Sequence, residues 1–356
     1  MSEGNITVLI AALRSRFLGK RINAAKALGE RRDTQAVPAL VEVLQDKTDL
    51  AWRAAEALGA IGDPQAVPAL LQASLPPAFK SGMTYKEIQR NSRLRGSAVV
   101  ALGMIGDPEV VPFLIEALKD RDTAWEAAGA LARIGLPSAP ALIDVLKNED
   151  AIQDKDLSQR QRDHALRALL AIRDPKVAPS LITALGIEGL SIDDGREMTK
   201  ALVKMGIPVV PAIIEAFQNK NEHRSVRLRM AHAIAWIRDA RAVPFLIQAL
   251  KDRDGDQMVS CKAAQTLKRM AQHHPCLTLR SALPTLRRLR KRNFIYQEAE
   301  EQIKAATAAF KDLPLPAAAP PPDAKTLSRP ADMPLSDLVT PPQGWWMRLC
   351  RGLEGS

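Results

Sequence analysis

One phrase recurs along this chain and limits what it can fold into. Its clearest copy is ALGAIGDPQAVPAL, Ala57 to Leu70. Ala57 and Leu58 close an alanine-rich helix, and Gly59 and Gly62 are free to take the left-handed conformation that stops one. Asp63 suits an N-cap, and Pro64 suits the first helical position, where no N–H is needed. Ala66, Val67, Ala69 and Leu70 then begin a second helix, which Pro68, four residues in, is expected to kink. Close copies start at Ala27 (ALGERRDTQAVPAL), Ala101 (ALGMIGDPEVVPFL) and Ala130 (ALARIGLPSAPAL). Looser ones start at Ala168, Ala201 and Ala233, and a degenerate one contains Leu267 and Pro284. The marker prolines (Pro38, Pro68, Pro112, Pro140, Pro179, Pro211, Pro244 and Pro284) lie 28 to 44 residues apart. A helix pair repeated at that period is the signature of an α-solenoid, in which each pair buries its apolar face only against its neighbours.

The expected fold class is therefore all-α: an α–α superhelix of nine helical pairs between about residues 5 and 311. The first helices should start near Asn5, Thr34, Pro64, Pro108, Pro137, Pro175, Pro208, Ala240 and Arg280. The second should end near Leu28, Leu58, Leu102, Leu131, Leu169, Leu202, Ile234, Leu267 and Phe310. Longer joints are expected at Pro76–Asn91, at Asn148–Gln159 and at the HHPC run before Leu277, with a shorter irregularity at Gly186–Gly195. Of the residues, 46% are apolar, mostly Ala, Leu, Val and Ile, and 4% are aromatic, which suits close helix-on-helix packing.

After Lys311 the composition changes. Pro314 to Gly344 holds nine prolines in 31 residues, the composition of an extended, disordered linker rather than a core. The chain then divides into a solenoid (1–312), a Pro-rich linker (313–344) and a short aromatic, basic peptide (345–356). In that peptide Trp345, Trp346 and Leu349 surround Arg348, a pattern that fits tethered docking to a partner. Membrane contact is expected only through this one short segment, and only weakly. Ile6–Leu13 is apolar but short, lacks a basic leader and runs into Arg14 and Arg16, so it reads as the first solenoid helix, capped by Asn5, rather than a signal peptide. Cys261, Cys276 and Cys350 show no framework spacing, so a reducing, cytoplasmic setting is the expectation.

These repeats resemble the HEAT class, specifically the short HEAT-like repeats of the phycobilisome (PBS) lyase type, over about residues 5–311. The resemblance implies a right-handed arc with the second helices on the concave side. It also implies a ladder between an aspartate after each first helix and an arginine early in each second helix. The arginine positions hold Arg21, Arg95, Arg162 and Arg227, and the aspartates are Asp46, Asp120 and Asp252. These arginines read as structural, because a buried charge needs a partner. In the repeats of Asp46 and Asp120 the arginine position holds Ala51 and Ala124, each followed by a tryptophan, so the ladder is expected to break there. The family spans enzymes, chaperone-like lyases and adaptors, and fold alone does not choose among them. Iron hydroxylases of this fold use repeated His-Glu pairs, whereas none of the five histidines here is followed by Glu.

With the marker leucine facing the core, a turn of 100° per residue points four positions toward the groove: six, five and two before it, and two after it. In the first four pairs these are Ile22, Asn23, Lys26, Glu30; Trp52, Arg53, Glu56, Ala60; Gly96, Ser97, Val100, Met104; and Trp125, Glu126, Gly129, Arg133, whose charges cancel. In the next four they are Asp163, His164, Arg167, Ala171; Arg196, Glu197, Lys200, Lys204; Leu228, Arg229, His232, Trp236; and Cys261, Lys262, Gln265, Arg269. Seven of these are positive and two negative. The groove is thus expected to be apolar and neutral in its N-terminal half and basic in its C-terminal half. The binding candidates are Trp52, Arg53, Met104, Trp125 and Arg133 in the first half. In the second they are His164, Arg167, Lys200, Lys204, Arg229, His232, Trp236, Lys262 and Arg269.

Other clusters carry less. Arg287, Arg288, Arg290, Lys291 and Arg292 read as a solvated helix end. His273 and His274 are adjacent, not one helical turn apart, and Asp252, Asp254 and Asp256 lack the glycine and glutamate of a calcium loop. With no catalytic constellation, metal set or cofactor motif legible, the preferred reading is a non-catalytic scaffold. Its groove would hold a protein partner with an anionic segment, consistent with the net charge of +10. The alternative implied by the resemblance is a bilin-lyase-like protein for tetrapyrrole attachment. A nucleic-acid enzyme similar to the HEAT-fold alkylpurine glycosylases ranks lower, since only residue types (Trp52, Trp125, Glu126) match.

Overall fold

The computed structural model describes residues 3–76, 83–147, 155–187, 191–251, 256–273, 277–291 and 293–308. Among these residues there are eighteen α-helices and no strand. They form nine antiparallel pairs. The first five are α1 (Glu3–Ala12) with α2 (Leu18–Arg31), α3 (Val37–Val43) with α4 (Leu50–Ile61), α5 (Val67–Ser74) with α6 (Tyr85–Ile105), α7 (Val111–Ala117) with α8 (Ala124–Ile134), and α9 (Ala139–Lys147) with α10 (Lys155–Ala171). The last four are α11 (Ala178–Leu185) with α12 (Ile192–Met205), α13 (Val210–Gln218) with α14 (Arg224–Ile237), α15 (Val243–Lys251) with α16 (Gln257–His273), and α17 (Leu283–Leu289) with α18 (Phe294–Ala306). Odd-numbered helices form one layer and even-numbered helices the other.

Aspartates of the repeated phrase start five of the nine pairs, while Gly135 and Gly206 start the fifth and seventh. Asp33, Asp63, Asp107, Asp174 and Asp239 each accept a bond of 2.9 Å from the backbone N–H two residues on. A 3₁₀ turn follows, such as Pro64–Ala66, and only then the α-helix. This corrects the expected kink at Pro68, which occupies the first turn of α5, where its missing N–H costs nothing. Gly62 takes the left-handed conformation as expected (φ 79°), but Gly59 does not, being helical and buried within α4. Asn5 lies inside α1, which begins at Glu3. Part of the joint expected at Pro76–Asn91 is helical. The Thr84 hydroxyl accepts from the Glu87 N–H, and the Glu87 carboxylate accepts from the Thr84 N–H, starting α6 at Tyr85.

The core is one continuous seam between the two layers. The marker residues Leu28, Leu58, Leu102, Leu131, Leu169, Leu202, Ile234 and Leu267 are all buried. So is the residue two after every marker proline, from Leu40 and Leu70 to Leu286. Each such side chain contributes about 1.5–3 kcal/mol of burial, which no single pair could secure alone.

The arginines join successive pairs. Arg21 Nε donates to the Leu13 carbonyl of its own pair (2.9 Å), while its Nη2 reaches Asp46 of the next. Arg95 repeats the pattern, with Nε on the Ser74 carbonyl (3.2 Å) and its other nitrogens on Asp120 and Asp122. Arg227 Nε likewise donates to the Phe217 carbonyl (3.1 Å), and Asp252 lies outside the described residues. Asp46 and Asp120 are therefore paired although their own repeats carry Ala51 and Ala124, because each arginine serves the following repeat. Burial pushes the Asp46 carboxyl up, but hydrogen bonds from Thr48 and Arg21 outweigh it and hold the group below the usual carboxylate range.

The layer of even-numbered helices changes along the chain. In the first three pairs the residue after the marker leucine is glycine. A Cβ at Gly29, Gly59 or Gly103 would lie 2.8, 2.7 or 2.4 Å from the Cα of Ala57, Ala101 or Ala130 on the next helix. In later pairs that position holds Ala132, Leu170, Val203, Ala235 and Lys268. The later even helices meet less evenly, touching least between α10 and α12 and between α12 and α14.

Candidate functional site

Where that layer loosens, α12, α14 and α16 enclose a groove of about 1120 Å³. Each helix is registered by its N-cap. Ser191 accepts from the Asp194 N–H (3.0 Å), His223 Nδ1 from the Ser225 N–H (3.3 Å) and Asp256 from the Met258 N–H (2.8 Å). From these starts α12 presents Arg196, Thr199, Lys200, Val203 and Lys204. Helix α14 presents Leu228, Arg229, His232 and Trp236, and α16 presents Gln257, Met258, Cys261, Lys262 and Gln265. Asn293, the N-cap of α18, completes the wall.

Among the described residues five cations and no carboxylate line this groove. Arg196 is paired with Asp193 (3.0 Å) and Lys200 with Glu197 (2.6 Å) on their own helix. Among the described residues Lys204, Arg229 and Lys262 have no ion-pair partner within 4.0 Å. The Arg229 guanidinium packs against Gly195 of α12, where a Cβ would come within 2.5 Å of it. Trp236 holds the centre. Its Nε1–H donates to His232 Nε2 (2.8 Å), and the Arg269 guanidinium covers its ring at 3.8 Å. His232 accepts that bond through an unprotonated nitrogen. Its pKa is pushed below the usual histidine value by burial first, then by the positive charges of Lys262, Arg269 and Arg229. Such a wall attracts anions and offers apolar patches between the charges at Val203, Leu228, Trp236 and Met258.

Of the residues predicted to face the groove, Lys200, Lys204, Arg229, His232, Trp236 and Lys262 do line it, and Arg269 joins them through Trp236. A second cluster sits on α8 and α10, where the Trp125 ring meets His164 edge-on (centroids 6.4 Å apart) and Arg167 at 5.2 Å. Burial, then Arg167, lowers the His164 pKa, with Asp163 opposing. Trp52 and Arg53 form a separate stack at 3.8 Å on α4, with Arg53 tied to Glu56 (2.9 Å). Met104 and Arg133 are exposed on α6 and α8. Of all thirty-two positions assigned to the groove face, Gly96 alone is buried, because Glu126 of α8 packs over it.

Thr199, Val203, Gln257, Met258 and Asn293 also line the groove but were not among the predicted positions. Met258 was legible, since it lies nine residues before Leu267, one turn beyond the window considered. Arg287 and its neighbours are exposed, with Arg287 bound to Glu300 (3.1 Å). The predicted docking residues Trp345, Trp346, Arg348 and Leu349 lie outside the described residues, as do His274, Asp254 and Arg292.

The helix pairs, their aspartate starts and their shared core define an α-solenoid, and the chain belongs to the HEAT-repeat family. The family model for HEAT repeats matches residues 6–78, 87–155 and 195–303. No curated protein matches the chain. Among solved structures it is similar to the CpcE–CpcF complex of phycocyanin lyase from Nostoc sp. PCC7120, at 23% identity and TM-score 0.35, over 75% of this chain and 94% of that one. It is also similar to human deoxyhypusine hydroxylase (19%, TM-score 0.31, 86% and 97%). Kap95p, solved with RanGDP, matches at 15% identity and TM-score 0.36, over 85% of this chain and 44% of that one.

Proposed function

We propose that this HEAT-repeat protein is a non-catalytic scaffold whose α12–α14–α16 groove holds an acidic, apolar-bearing segment of a protein partner. The observation that carries this reading is the groove wall, which among the described residues holds five cations and apolar patches but no carboxylate. A peptide with spaced Asp or Glu and Leu or Met side chains matches both features. The Trp345–Trp346 peptide serves as a second, tethered contact, and coupling the two raises avidity without new groove contacts.

The test is fluorescence anisotropy of the full chain with a labelled acidic–apolar peptide, a same-length peptide with Lys in place of the acids, and a single-stranded oligonucleotide. Saturable binding of the acidic peptide alone, weakening with added salt, supports the scaffold. Tighter binding of the oligonucleotide overturns it in favour of a nucleic-acid protein. A new visible absorbance band on adding a bilin, with no peptide binding, moves the assignment to tetrapyrrole handling.

A further inference from the structure

Resting on that reading of the groove, we infer that its occupant in the free protein is a segment of this same chain, Pro330–Gln343. The first argument is charge. Between Arg329 and Arg348 the chain carries Asp332 and Asp337 and neither Lys nor Arg. The flanking stretches are each net positive, Lys311, Lys325 and Arg329 against Asp312 and Asp323 on one side and Arg348 and Arg351 against Glu354 on the other, whereas residues 330–343 are net negative and suit a wall of five cations better. The second is the apolar match. Met333, Leu335, Leu338 and Val339 alternate with the two aspartates as Val203, Leu228, Trp236 and Met258 alternate with the groove cations.

The third argument is reach. Asn293, at the start of α18, lines the groove, and the chain leaves the far end of that 13-residue helix. That displacement is about 20 Å at 1.5 Å per residue. A coil as long as the intervening stretch 309–329 would span roughly 25 Å root-mean-square. A tether whose span matches the distance gives an effective concentration on the order of 1 mM. A segment binding with a Kd near 100 μM would then fill its own groove about nine-tenths of the time and lower a partner's apparent affinity about tenfold.

The experiment measures a labelled peptide of residues 330–343 against the full chain and against the full-chain variant D332K/D337K, whose substitutions lie outside the solenoid. The expected result is about tenfold tighter binding to D332K/D337K, independent of protein concentration. Equal affinity for both proteins overturns occupancy in cis while leaving the groove as an acidic-peptide site. Binding to neither removes the groove reading itself. Masking that grows with protein concentration assigns the segment to the groove of a second copy and also overturns the inference.

Discussion

The two halves of this solenoid use the same helix pair to different ends. In the first half glycines let the even helices meet backbone to backbone. Two of the three cations expected to face the groove there are neutralised in place, Lys26 by Glu30 (3.7 Å) and Arg53 by Glu56 (2.9 Å). In the second half that position holds larger residues, α12 touches its even-numbered neighbours least, and Lys204, Arg229 and Lys262, unpaired among the described residues, line the opening. At the position after the marker leucine the packed wall carries glycine at 29, 59 and 103, whereas α12 beside the groove carries valine at 203.

The largest effect should come from closing that distinction. Gly103→Val forces a side chain into the Ala130 backbone and should cost about 3 kcal/mol, read from the urea midpoint. Val203→Leu, at the equivalent position beside the groove, should stay within about 0.5 kcal/mol. Equal costs would mean that the two halves are packed alike.

Removing the arginine clamp ranks next. Arg95 is buried and holds Asp120, so Arg95→Ala should destabilise by about 3 kcal/mol by stranding that carboxylate. Arg229→Ala removes a cation with no ion-pair partner, so its cost should be smaller than about 1 kcal/mol and its effect should fall on binding.

Gly195→Ala separates stability from binding at a single site. Alanine favours α12 by about 0.5–1 kcal/mol, so the melting transition should hold or rise. The added methyl must displace the Arg229 guanidinium, and affinity for the acidic peptide should fall severalfold. A loss of stability with unchanged affinity would show that Arg229 does not act from that position.

The smallest effect is a pH dependence. The His232 pKa is lowered by burial and then by Lys262, Arg269 and Arg229, while Arg196, Lys200 and Lys204 line the facing helix. An acidic ligand stabilises the imidazolium and raises that pKa in the complex. Binding therefore takes up protons, and affinity should rise a few-fold as pH falls from about 7.5 to 5.5. In His232→Gln the profile should be flat over that range. The sign for folding is opposite. A depressed folded-state pKa contributes stability above the unfolded value, and this is lost as pH falls through the folded one.

The fold was legible because a solenoid writes its core into a short period. The marker residues closing the second helices, from Leu28 to Leu267, are buried in the core, and helical rotation from them reaches Lys200, Lys204, Arg229, His232, Trp236 and Lys262 in the groove wall. The misreadings share one cause. Gly59 and the Arg–Asp ladder depend on what the next repeat presents, which a repeat read by itself does not contain. Gly59 is small because Ala101 presses on it, and Asp46 is paired because Arg21 reaches forward. Pro68 was misplaced because the 3₁₀ turn at Pro64–Ala66 moves the α-helix start to Val67. The enclosure of the groove is likewise a relation among α12, α14 and α16, so Thr199 and Asn293 were not visible from any one helix.

The most direct test of the account compares the halves on one ligand. The affinity of the acidic–apolar peptide is measured for the full chain, for Arg229→Glu with Lys262→Glu, and for Lys26→Glu with Arg53→Glu. The account predicts at least a thirtyfold loss (about 2 kcal/mol) for the first pair and less than a twofold change for the second. Equal losses, or a loss confined to the Lys26 and Arg53 pair, would contradict it.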